Sequence, residues 1–233
     1  MYTKLNKNVS GQGMVETLIT IPILLFFGAS LLQLYFIWET KLTLNHATLM
    51  SARVGATSSL NIQAMNNALV KGLIPLQSPD LGDPLGPANV YTNARDQVIL
   101  DVANNSVLRI ANPTVEAFND FDIGTGIPND HLHARSIQVG VNSGVNVQDA
   151  NLLRIQIAYG IPLTVPFVGP FIMDALNLVA DQNAWAWHRQ NTVDNGLFPI
   201  TSVATVRMQS PSILTVANQP FIMTRQEVVD SIQ

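Results

Sequence analysis

The residues whose types and spacing promise chemistry stand at the start of the chain: Gly11-Gln12-Gly13-Met14-Val15-Glu16, followed at once by an uncharged apolar run from Thr17 to Trp38. An ionised side chain in hydrocarbon costs about 3 kcal/mol even on lenient insertion scales, so Glu16 needs a cationic partner, a neutral form or a route to water. That need makes it the first functional candidate. His131-Leu132-His133 offers a weaker pattern. Two imidazoles on one side of an extended segment, with Asp122 and Asp130 close in sequence, form a grouping that metals use. With four His, no Cys and no HExxH spacing, the segment reads as an exposed polar loop, and no metal is expected. Asp80 and Asp83 are separated by Leu and Gly and lack the further oxygen ligands that calcium requires. His188 stands beside Arg189 without a recognisable nucleophile, and no GxSxG elbow, phosphate loop or dinucleotide fingerprint occurs. Neither catalysis nor a cofactor is expected.

The element that must position Glu16 is the apolar run. Its 22 or so residues rise about 33 Å as a helix, enough to cross the roughly 30 Å hydrocarbon core once. Lys4 and Lys7 precede it, while Glu39 and Lys41 cancel at its far end, so the basic bias predicts a cytoplasmic N-terminus. Tyr35 and Trp38 suit the opposite interface. Pro22 and Gly28 are tolerated in membrane helices, where neighbouring groups re-satisfy the backbone. A cleaved secretory signal would have a shorter apolar core ending in small residues. Here Gly28-Ala29-Ser30 lies in mid-run, and a retained anchor is the better reading.

Gly11, Glu16 five residues on, Pro22 six beyond that, and Ala52-Arg53-Val54-Gly55-Ala56 after the run together resemble the TadE-like family, pseudopilins of tight-adherence or Flp-type pili. The resemblance continues more loosely through Asp149-Ala150-Asn151-Leu152-Leu153-Arg154-Ile155 and Tyr159-Gly160-Ile161-Pro162-Leu163-Thr164-Val165-Pro166. Thr17 follows Glu16 where the family usually has Phe. The resemblance implies a leader, residues 1–11, removed by a membrane prepilin peptidase between Gly11 and Gln12. It implies a filament-core helix over residues 12–38. Glu16 would pair with the free N-terminal amine of a neighbouring subunit and fix the depth of each incoming helix. The implied partners are other pilin subunits or copies of itself, the peptidase, the membrane and an inner-membrane assembly platform driven by a separate ATPase. The implied course runs from a single-pass inner-membrane protein, with its C-terminal domain periplasmic, to a pilus at the cell surface.

Composition fits a tethered domain. Hydrophobic residues make up 47% of the chain and charged residues 12%, with a mean hydropathy of +0.22. Net charge is −4 and the isoelectric point about 5.4, which argues against a nucleic-acid surface. Cysteine is absent, so stability rests on packing and partner contacts, without disulfides or thiolate chemistry. Sparse charge suits subunits that bury much of their surface in a polymer.

Beyond Trp38 the helical pattern predicts an extension over residues 39–71, with Leu42, Leu49, Ala52, Ala56, Leu60 and Met65 on one broad face. Ala47, Ser51 and Gly55 form a small-residue row that permits close approach, either by the chain's own domain or by a neighbouring subunit. Gly72 and the Pro-Gly-rich passage from Ser78 to Pro87 end it. The rest, residues 72–233, reads as an α+β domain. A helix is predicted from about Ala88 to Ala103, with strands at Val107–Ile110, Ile137–Val141, Leu153–Tyr159 and Ile200–Arg207 forming an antiparallel sheet under the helix tail. Ile161–Val179 is apolar, but Pro162, Pro166, Pro170 and Asp174 exclude a second continuous span. A short helix from about Phe171 to Leu178 is expected, which with Trp185 and Trp187 could meet a membrane surface, a subunit contact or the core.

Two readings from other classes stand beside a pilin. A membrane-anchored periplasmic binding or sensor module would use the run only as a tether, and an anchored hydrolase would need convergent titratable groups in a cleft. Within the pilin reading, a sparse priming subunit and the main subunit of a large-subunit filament both remain open.

Overall fold

The computed structural model describes residues 10–77, 87–179 and 186–231. Its helices are α1 (Ser10–Thr57), α2 (Ile62–Leu73), α3 (Pro87–Asn105), α4 (Val115–Phe121), α5 (Val147–Ala150), α6 (Val168–Val179), α7 (Ala186–Arg189) and α8 (Arg225–Asp230). The strands are β1 (Ser106–Asn112), β2 (Leu152–Ile161) and β3 (Phe198–Arg207). The chain divides into two compact units, Met1–Trp38 with Leu163–Val179 and Glu39–Pro162 with Ala180–Gln233, and α1 contributes to both.

In the first unit α1 is apolar on every face. Leu18, Leu24, Phe27, Leu31 and Leu32 are all exposed. A helix hydrophobic all round belongs in a core or a membrane, and among the described residues nothing buries this one from Gly13 to Gly28. Its polar groups are closed internally: the hydroxyls of Thr17, Thr20 and Ser30 donate to the carbonyls of Gly13, Glu16 and Phe26, four residues back. Among the described residues this is the one helix long and apolar enough to cross a membrane.

The second unit is α+β. Its antiparallel sheet has the order β1-β2-β3, with β2 central. Ile155 pairs with Ile110 on one side and Ala204 on the other, and all three are buried. Along β2 the pattern alternates, with Leu153, Ile155 and Ile157 fully buried around half-buried Arg154 and Gln156. Each of these apolar side chains contributes about 2–3 kcal/mol of burial. The tail of α1 is tied to this sheet: Ser202 donates to Asn45 Oδ1 at 2.9 Å, Lys41 donates to the Thr201 carbonyl, and the amides of Gln209 and Ser210 donate to the Ala56 carbonyl.

Two sequence expectations are corrected. The extension over residues 39–71 is not one helix, because α1 stops at Thr57 and α2 starts at Ile62. Ser59 and Leu60 take left-handed backbone angles (φ 54° and 63°), the Leu60 amide donates to the Gly55 carbonyl, and Asn61 Oδ1 accepts from the Ala64 amide as the cap of α2. The turn sends Leu60 into the core, where it is fully buried. Leu49, Ala52, Ala56 and Leu60 keep to one helical face right up to the turn, so periodicity did not detect the break. The second correction is Ile137–Val141, which is not a strand. Val141 is 92% exposed, with Ile137 and Val139 also exposed. Asp120 fixes the turn that follows this segment: its carboxylate accepts from the Ser143 amide and hydroxyl, both at 2.7 Å, and from Asn142 Nδ2 at 2.7 Å. A turn closes beside it through Gly140 N–H to Val145 C=O. These donors, the Ser143 amide foremost, hold the Asp120 carboxyl below its ordinary range.

The other elements fall near their predicted places: α3 covers the expected 88–103 helix, and β1, β2 and β3 cover three of the four expected strands. The Tyr159 hydroxyl donates to the Asp101 carboxylate, joining β2 to α3. Burial raises its phenol well above the usual range. The Arg109 guanidinium lies 5.1 Å from the Trp187 ring centroid.

His188 is 2% exposed. The Thr192 hydroxyl donates to the His188 carbonyl, so in the 3.1 Å contact between His188 Nδ1 and the Thr192 hydroxyl oxygen Nδ1 is the donor. Burial, with the Arg109 charge adding to it, lowers this imidazole from 6.5 to about 4. The unfolded chain therefore binds a proton through that window while the folded one does not. Folding stability should fall as pH drops from 6.5 towards 4, by about 1.4 kcal/mol per unit from this group. Denaturant unfolding at both ends of the window checks it: His188→Gln should show a shallower slope than the native chain, and equal slopes would refute the assignment.

Candidate functional site

The candidate site is the head of α1 and the apolar face behind it. Gly11 and Gln12 lie in the first turn, and Glu16 is exposed one turn further on. Among the described residues no side chain is seen to pair with the Glu16 carboxylate, whereas the nearby hydroxyls of Thr17 and Thr20 are satisfied within the helix. The geometry presents one acidic group on an otherwise apolar rod. Pro22 is inside the helix; it has no amide hydrogen, so the Leu18 carbonyl loses its helical donor. A carbonyl without its helical donor and a carboxylate with no partner side chain among the described residues both favour a neighbour carrying hydrogen-bond donors or positive charge.

One polar residue of the span does have a partner. Gln33 is 1% exposed, and its Oε1 accepts from the Val165 amide at 2.9 Å. Phe26, two turns back along α1, meets Phe171 edge-on with centroids 5.8 Å apart. The segment 163–171 thus follows α1 from Gln33 to Phe26. Sequence reading placed Gln33 within an uncharged run without asking where its amide bonds. A polar side chain in mid-span, with three prolines freeing carbonyls and amides elsewhere, was the available signal.

The small-residue row is used within the second unit. Ala47, Ser51, Ala52 and Gly55 are buried, and Arg53 is exposed. A Cβ on Gly72 of α2 would fall 2.6 Å from Ala47 Cα, and a Cβ on Gly55 would fall 2.8 Å from Met65 Sδ and 3.0 Å from Leu153 Cδ2. These residues let α2 and the sheet approach α1 closely. Of the two approaches open from sequence, the chain's own domain occupies this face.

His131 and His133 are both exposed, with ring centroids 6.4 Å apart. Asp130 is instead paired with Arg135 at 2.5 Å, and Asp122 accepts from the amides of Gly124 and Gly126. No group of three metal-ligating side chains occurs among the described residues. Asp80, Asp83 and Trp185 lie outside the described residues. Comparison with protein-family models, with curated proteins and with solved structures gives no match for this chain.

Proposed function

We propose that this chain is a TadE-like pseudopilin, a non-catalytic structural subunit that enters or primes a tight-adherence pilus after losing its leader. The observation that carries the reading is the uncovered apolar helix with a single carboxylate, Glu16, at its head and Gly11 one turn before it. A tether alone needs the apolar length and has no use for a carboxylate in it.

In this reading the N-terminus is cytoplasmic, and the peptidase cuts between Gly11 and Gln12. The new amine of one subunit then meets Glu16 of the next. The pair adds little net stability because desolvation offsets its attraction, but a wrong register strands both charges in hydrocarbon, so it selects one depth. The face with Ala47, Ser51 and Gly55 joins the helix to its domain, leaving the Thr17–Trp38 surface for neighbouring helices. The α+β unit serves lateral contact and display on the periplasmic or outer side.

Co-production of the chain with and without a prepilin peptidase, followed by intact-mass measurement of the membrane fraction, tests the reading. The native chain should convert to a species lacking residues 1–11 only when the peptidase is present, and Gly11→Val should stay full length. Equal masses in both conditions would exclude processing.

A further inference from the structure

Helix α6 has three distinct faces. Val168 and Gly169, buried, and Ile172, Met173 and Leu176, half-buried, form one face. Asp174 and Asn177, three residues apart, form an exposed polar flank, while Phe171, Ala175 and Leu178 form an exposed apolar one, with Phe171 63% and Leu178 87% exposed.

What covers the apolar flank follows from where the helix sits within its own unit. Val165 bonds Gln33, and Phe171 packs on Phe26, both of which belong to the Thr17–Trp38 run. From Gln33 to Phe26 is about 10 Å of rise, and Phe26 stands about 18 Å inward of Trp38. A segment in contact with that part of a membrane-crossing helix is itself at bilayer depth. In the irregular stretch before α6 the Val165 amide is closed by the Gln33 amide oxygen. Asp174, on the flank beside Leu178, limits how far the helix sinks.

We propose that α6 is a second membrane contact, a helix that seats Phe171 and Leu178 among acyl chains beside the span, braced against it through Gln33. The proposal rests on the reading that Thr17–Trp38 crosses the membrane. It implies that extraction of the span from the bilayer must also withdraw α6, because the two form one unit.

The chain contains no cysteine, so single spin labels can be placed at will. Phe171→Cys, Leu178→Cys, Asp174→Cys and Leu25→Cys variants of the full chain, in vesicles of phosphatidylcholine and phosphatidylglycerol, would be probed with oxygen, which partitions into lipid, and with a water-soluble nickel chelate. Labels at 171 and 178 should follow Leu25, with an oxygen-to-nickel collision ratio severalfold above that of Asp174. If 171 and 178 favour nickel while Leu25 favours oxygen, the span stands and the proposal falls. Shielding of 171 and 178 from both agents would also overturn it, by showing a protein cover such as a second copy. A Leu25 label that favours nickel would refute the span itself, and with it the proposal.

Discussion

A Glu16→Ala chain should reach the membrane, lose its leader and fold its domain as the native chain does, yet appear in surface filaments at about one hundredth of the native level. Removing one partner of a charge pair excluded from water leaves the other uncompensated at about 3 kcal/mol or more, which corresponds to roughly two decades in an equilibrium. The exposed position of Glu16 and its lack of a partner side chain within the described residues make a folding defect unexpected. Quantitative immunoblotting of sheared surface material against the membrane fraction reads the effect. Glu16→Gln should recover little, because the amide restores hydrogen bonding without restoring the charge. Native filament levels in Glu16→Ala would mean that the carboxylate does not set register.

Gly72→Ala should destabilise the domain although alanine is the better helix former. The added methyl would meet Ala47 at 2.6 Å from both its Cα and its Cβ, and backbone cannot step aside as a flexible side-chain end can. Overpacking of this kind costs about 3 kcal/mol, and helix propensity returns about 1, leaving a loss of about 2 kcal/mol. For a chain of this size that lowers Tm by about 4 to 8 °C. Gly28→Ala provides the contrast, since nothing lies within 4 Å of its added methyl and the propensity gain should stand alone. Thermal unfolding followed by circular dichroism decides it: an unchanged or raised Tm in Gly72→Ala would contradict the close approach of α2 to α1.

Much of the fold was legible because burial and alternation coincide on β1, β2 and β3. Leu153, Ile155 and Ile157 alternate in the sequence and are buried in the structure. Ile137, Val139 and Val141 alternate equally well and are exposed, because a strand also needs a partner edge, and here the Gly140 amide closes a turn onto Val145 while the Asp120 carboxylate fixes the Asn142 and Ser143 amides that follow. Long-range competition of this kind leaves no mark on the local pattern. The break at Ser58–Asn61 did leave one, the Asn cap, but the continuous apolar spacing around Leu60 outweighed it. Helix α6 begins at Val168, three residues before the expected Phe171. Pro170 falls in its first turn, where a missing amide hydrogen costs nothing, so a residue taken as a breaker sits inside the helix. At the candidate site Gly11 and Glu16 stood out as candidates by residue type and spacing alone. The Gln33 to Val165 bond joins residues 132 positions apart and required the fold to be seen.

The most direct test of the assembly account is intact-mass and N-terminal peptide analysis of the protein recovered from sheared cell-surface material. A species beginning at Gln12, found in the filament fraction, is the expected result. A species beginning at Met1 and confined to membranes would contradict it, leaving α1 as a plain anchor and Glu16 without a task.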